Sequence, residues 1–116
     1  MIRNKIVLVP FPYEDNPSEK KVRPAVCLTN TIGQKKQVVL AFITSQTVKE
    51  LFDSDLPINE GDDDFNNTGL KTSSTIRLHK LITLSSATIA RDLGVLPNKL
   101  HGTIKTKIKQ LFHLDK

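Results

Sequence analysis

Three nearly continuous apolar runs organise the first half of the chain: Ile6-Val7-Leu8-Val9, Pro24-Ala25-Val26-Cys27-Leu28 and Val38-Val39-Leu40-Ala41-Phe42-Ile43. None alternates as a half-buried strand would, so each predicts a strand covered on both faces. Pro10 and Pro12 follow the first run, and because proline lacks an N–H they are expected to end its pairing. The intervening segments, Tyr13–Lys21 and Asn30–Gln34, are rich in turn formers, with Gly33 the expected site of positive φ. Connections this short exclude parallel crossovers and predict an antiparallel meander.

Beyond residue 45 the pattern changes twice. Residues 46–52 are expected to form one or two helical turns capped by Thr47, and Asp55–Ile58 a short edge strand. A polar stretch from Asn59 to Gly69 separates these from Ser74–Leu84, which alternates with period two. There Ile76, Leu78, Lys80, Ile82 and Leu84 share one face, and Thr75, Arg77, His79, Leu81 and Thr83 the other. A kink near Lys80 would reconcile that lysine with its apolar face. Ser86–Asp92 reads as a short helix capped by Gly94. From Pro97 to Leu114, Leu100, Ile104, Ile108, Leu111 and Phe112 recur at helical spacing. The fold class expected is mainly β with a C-terminal helix: a small antiparallel β-barrel closed by that helix, forming one domain over residues 1–116.

Composition narrows the functional classes. No apolar run approaches a membrane span, and the single Cys27 rules out an internal disulfide, so a cytoplasmic protein is expected. The formal charge of +5 conceals an asymmetry. Seven carboxylates and no Lys or Arg lie between Glu50 and Asp64, leaving +12 on the remaining residues. Such a surface favours an anionic partner, nucleic acid among them. His101 and His113 lack neighbouring cysteines, and Asp62-Asp63-Asp64 lacks the spaced ligands of a calcium loop, so neither metal nor cofactor is expected. The acidic run reads as a solvated loop that would repel a nucleic acid such as RNA.

Arg23, Thr44, Arg77 and His79 are the candidate catalytic residues. Were the anionic partner RNA, cleaving its phosphodiester without metal would require a base for the 2′-hydroxyl, cations for the phosphate and an acid for the departing 5′-oxygen. An arginine fork matches two phosphate oxygens. A histidine holds or releases a proton near neutrality. Two apart on a strand, Arg77 and His79 project to one face about 7 Å apart, a span fitting a phosphate and its attacking or leaving oxygen. Ser45, Lys20, Lys21 and Lys80 are the expected RNA contacts. Plain structural readings stand beside these. An Arg-x-His pair can be a solvated strand face, Thr44-Ser45 a local strand terminator, and Arg23 the ion-pair partner of Glu14 or Asp15.

Lys5-Ile6-Val7-Leu8-Val9-Pro10-Phe11-Pro12-Tyr13 and Val22-Arg23-Pro24-Ala25-Val26 resemble the opening of the PemK/MazF family of endoribonuclease toxins. Phe42-Ile43-Thr44-Ser45-Gln46, Gly69-Leu70-Lys71, Ser74-Thr75-Ile76-Arg77-Leu78-His79-Lys80-Leu81 and Leu93-Gly94-Val95-Leu96 are similar to its later blocks, in the same order. The resemblance implies an SH3-like barrel and a homodimer with RNA bound in or near its interface. It also implies a type II antitoxin partner and sequence-selective, metal-independent cleavage of single-stranded mRNA, leaving 2′,3′-cyclic phosphate and 5′-hydroxyl ends. Arg23, Thr44 and Arg77 fall on the family's functional positions. Two departures stand out: Arg3-Asn4-Lys5 replaces the usual Gly-Asp or Gly-Glu, and His79 stands where many members carry aspartate. His79 can act as the base, contact RNA or antitoxin without exchanging protons, or mark a loss of activity. The Tyr13–Lys21 loop is expected to gate the cleft.

Two further classes remain open at this stage: a non-catalytic module binding RNA, DNA or a protein tail, and a toxin acting on a protein such as a topoisomerase. The absence of tryptophan and the single tyrosine argue against a base-stacking platform.

Overall fold

The computed structural model describes residues 1–12 and 20–114, with Phe11, Pro12 and Lys20 described by backbone alone. Its strands are β1 (Lys5–Pro12), β2 (Lys20–Cys27), β3 (Gln37–Thr44), β4 (Asp55–Ile58), β5 (Ser74–Ser85) and β6 (Arg91–Val95); α1 spans His101–Leu111. They form one sheet in the order β4-β5-β3-β2-β1-β6, every neighbouring pair antiparallel. The three apolar runs are its central strands, as their continuous hydrophobicity requires.

Both faces of those strands are buried. Ile6, Val26, Ala41 and Ile43 face one core with Leu56, Ile58, Ile76, Leu78 and Leu96, covered by Ile104, Leu100 and Ile108 around α1. Val7, Val9, Ala25, Cys27, Val38 and Leu40 face a second cluster with Ile2, Ile82, Leu84 and Ile89. Each fully buried Ile or Leu contributes roughly 1.5–3 kcal/mol.

β5 passes from the first cluster to the second within one strand. Ala41 pairs with Leu81, but Phe42 pairs with Arg77, so residues 78–80 bulge out of the ladder. The register shifts by an odd number of residues, which moves every following side chain to the other face. Ile82 and Leu84 therefore do not share a face with Ile76 and Leu78, as strict alternation had predicted. The kink expected near Lys80 is this bulge.

Four other expectations are corrected. Pairing with β2 continues through Pro10 and Pro12 to Lys20, because β6 accompanies β1 only from Lys5 to Leu8 and leaves the prolines a neighbour on one side alone. Residues 46–52 form no helix; bends and turns lead to Asp55. Ser86–Asp92 is no helix either, since a 3-10 turn at Ser86–Thr88 leads into strand β6. Gly94 accordingly lies within β6 and caps nothing.

Gly94 has another task. A Cβ there would overlap the backbone of Asn67 and Thr68, and a Cβ at Gly69 the backbone of Leu93. The 3-10 turn Phe65–Thr68, reached from edge strand β4, thus packs main chain to main chain against the opposite edge strand β6. The sheet is a curled half-barrel whose edges meet through this glycine seam rather than through a ladder. Gly33 carries the positive φ (74°) expected of it. The Tyr13–Lys21 loop lies almost wholly outside the described residues, as do Glu14 and Asp15 and the side chain of Lys20.

Candidate active site

The face of β5 opposite the first core carries Arg77, and edge strand β4 supplies its partner. Asp55 pairs with Arg77 across the strands, and its side chain is wholly buried. Arg77 Nε donates to Asp55 Oδ1 at 3.0 Å and Nη2 to Oδ2 at 3.1 Å. This is a fork on a carboxylate, the strongest geometry such a pair adopts. Nη2 also donates to the Glu50 carbonyl at 3.2 Å, and the Phe52 N–H donates to Asp55 Oδ2 at 2.8 Å. The Asp55 N–H in turn donates to the Phe52 carbonyl at 2.9 Å, closing residues 52–55 into a turn.

His79 joins the same cluster. Its Nδ1 lies 3.9 Å from Asp55 Oδ1, within ion-pair range and beyond a hydrogen bond. Its ring meets Phe52 edge to face, with centroids 5.1 Å apart, and Arg77 lies over the same phenyl ring at 5.3 Å. Burial pushes the Asp55 carboxyl up, but the Arg77 hydrogen bonds, the Phe52 N–H and the charges of Arg77 and His79 together hold it below the usual carboxylate value. Asp55 is therefore ionised near neutrality.

A second group adjoins the first through Phe42, the cross-strand partner of both Ala25 and Arg77. Arg23 Cζ and Lys80 Nζ each lie 5.8 Å from the Phe42 ring centroid, within cation–π range. Thr44 pairs with Thr75 along the same two strands. Its Oγ1 accepts the Gln46 N–H at 3.1 Å, which leaves the hydroxyl proton to donate elsewhere. Ser45 and Lys21 are exposed.

Arg77 and His79 are thus brought together on Asp55, and Arg23 and Lys80 on Phe42, with Thr44 further along β3. Asp55, Phe52 and Phe42 are the members that the sequence reading did not select. The signal for Asp55 was its parity: with Leu56 and Ile58 turned inward, Asp55 stands out of step with them. Cys27 plays no part; burial pushes its thiol up to about 11. No group of three or more His, Cys, Asp or Glu side chains suited to a metal ion occurs among the described residues. No helix among them is long and apolar enough to cross a membrane.

The chain is a curled antiparallel half-barrel with one terminal helix, carrying Arg77 and His79 on one strand beside the buried Asp55, and Arg23 and Lys80 against Phe42. The family model of PemK-like, MazF-like toxins of type II toxin–antitoxin systems matches residues 2–112, and the chain belongs to that family, whose toxins are endoribonucleases. A search of curated proteins gave no match. Among solved structures, the Mycobacterium tuberculosis toxin MazF-mt6 is 22% identical with a TM-score of 0.71, covering 97% of this chain and 99% of that one. A mycobacterial endoribonuclease in complex with its cognate antitoxin is 14% identical, also at 0.71, covering 100% and 98%. Another mycobacterial endoribonuclease is 13% identical at 0.68, covering 100% and 94%. At these identities the likeness speaks for the fold.

Proposed function

We propose that this chain is an endoribonuclease toxin that cleaves single-stranded RNA by attack of a 2′-hydroxyl on the adjacent phosphate, without metal. The reading rests on one observation: Arg77 and His79 share a strand face beside a common buried carboxylate. Three of the five guanidinium N–H groups of Arg77 are engaged by Asp55 and Glu50, and the Nη1 pair forms the remaining donor edge. That edge meets the phosphate and stabilises charge as the pentacoordinate state forms. His79 exchanges the proton, as base toward the 2′-hydroxyl or as acid toward the 5′-oxygen. Arg23, Lys80, Lys21, Lys20 and Ser45 hold the flanking backbone, and the Thr44 hydroxyl donates to a phosphate oxygen. The products are a 2′,3′-cyclic phosphate and a 5′-hydroxyl.

Single-stranded RNA is the substrate that fits, because in-line attack needs a backbone freed from A-form geometry. The partner is an antitoxin whose acidic or apolar tail competes for this basic face, as segments that fold on binding commonly do. The toxin acts as a homodimer in the cytoplasm. Incubating the purified protein with mixed-sequence single-stranded RNA in EDTA tests the reading. Discrete cuts at a short motif are expected, whereas RNA bound but left intact would favour a binding module, and toxicity with intact RNA a protein target.

A further inference from the structure

We infer that Asp55 is a positioning residue of this site: its buried carboxylate fixes the plane of the Arg77 guanidinium, so that the Nη1 edge is presented to the scissile phosphate. The inference rests on the cleavage reading above and adds to it a residue on a different strand. The wholly buried carboxylate takes the Nε and Nη2 corner of the fork. An arginine side chain with free torsions would present any of its three donor edges. Clamped at that corner, with the Glu50 carbonyl on Nη2, it presents one.

The same carboxylate sets the surroundings of that edge. It accepts the Phe52 N–H, and so holds the phenyl ring that His79 meets edge to face and over which Arg77 lies. It also faces His79 Nδ1 at 3.9 Å, within ion-pair range. The carboxylate stands across the ladder on β4, behind the arginine and beside the histidine.

This arrangement opposes two quantities that a merely structural ion pair would move together. The carboxylate offsets the charge of Arg77 and so weakens attraction for the RNA backbone, while it improves the aim of the guanidinium. Asp55→Asn keeps the side-chain shape and removes the charge. In a protein that cleaves RNA, the variant is expected to lose roughly 100-fold in kcat, the scale of a small misplacement of a reacting group. Its RNA affinity is expected to stay equal or rise, measured as KM and with a 2′-deoxy-substituted oligonucleotide. In an Arg77→Lys background the same substitution should cost less than about 3-fold, because an ammonium has no planar fork to aim.

Wild-type kcat in a folded Asp55→Asn protein would overturn the inference while leaving the cleavage reading intact. So would parallel loss of kcat and affinity, undiminished in the Arg77→Lys background. A wild-type protein that cleaves no RNA would overturn the cleavage reading itself, and this inference with it. Should the variant fail to fold, the wild type decides through the Arg77 Nε–H resonance. The inference expects it to remain protected from exchange when the 2′-deoxy oligonucleotide binds; its release to solvent on binding would overturn the assignment.

Discussion

Replacing Arg77 by alanine is the natural test of catalysis, yet the structure predicts that it injures the fold first. The substitution strands the Asp55 carboxylate, whose side chain is wholly buried, with the Phe52 N–H as its remaining hydrogen-bond donor among the described residues. Removing one partner of a buried ion pair costs about 3–5 kcal/mol. Against a total stability of roughly 5–15 kcal/mol, and at about 4 °C per kcal/mol for a domain of this size, the melting temperature should fall by about 12–20 °C at pH 7. The pH dependence gives a sharper signature. In the wild type the Asp55 carboxyl titrates below its unfolded value, so its stabilisation is complete above about pH 4 and is lost as pH falls through the folded value. In Arg77→Ala the guanidinium is gone and burial dominates, so the carboxyl rises above its unfolded value. That variant regains relative stability as pH falls through the raised value, and the gap to wild type narrows between pH 7 and pH 4. Thermal melts at both pH values measure this, with Asp55→Asn combined with Arg77→Ala expected to recover part of the loss. An Arg77→Ala protein with wild-type melting temperature, or a gap that does not change with pH, would refute the reasoning.

Other outcomes follow from the same geometry. His79→Ala is expected to lower kcat by about 100- to 10,000-fold with RNA binding retained. Full activity, or a flat rate profile from pH 5 to 8 in the wild type, would remove His79 from proton transfer. Gly94→Ala forces a Cβ into the backbone of Asn67 and Thr68, where nothing flexible can yield, and should cost about 3 kcal/mol in thermal or urea melts. Gly33→Ala meets open space at φ 74° and should cost only about 1 kcal/mol; equal losses at the two glycines would contradict the seam. Cys27, buried and with its thiol pushed up to about 11, should resist alkylation at pH 8 until the protein is unfolded.

Much of this architecture was legible in the residue pattern because burial on both faces leaves a strong mark. Val38–Ile43 admits no other reading than a central strand, and the short turns after β1 and β2 force antiparallel neighbours. The pattern misled where tertiary contacts override it. Arg91–Val95 carries a glycine and charges, and becomes a strand only because Lys5 to Leu8 of β1 offer it a ladder and the Phe65–Thr68 turn packs on Gly94. The odd register shift in β5 is invisible to period-two counting, which runs straight through Lys80. At the site, Arg77 and His79 could be picked out by their spacing of two, Arg23 as a cation opening a core strand and Lys80 as a charge on an otherwise apolar face. The carboxylate beside Arg77 and His79 could not be assigned, since nothing in a single sequence sets the register of Asp55 opposite Arg77.

The face carrying Arg77 and His79 is proposed to promote attack by the RNA 2′-hydroxyl without metal. Its most direct test is an RNA oligonucleotide carrying the cleavage motif, compared in EDTA with the same strand bearing one 2′-deoxy nucleotide on the 5′ side of the scissile phosphate, with product ends mapped. Cyclic phosphate and 5′-hydroxyl ends are expected from the first, and an intact second strand that still binds. Cleavage of the deoxy-substituted strand, ends with a 3′-hydroxyl, or activity only on addition of a divalent ion would contradict it.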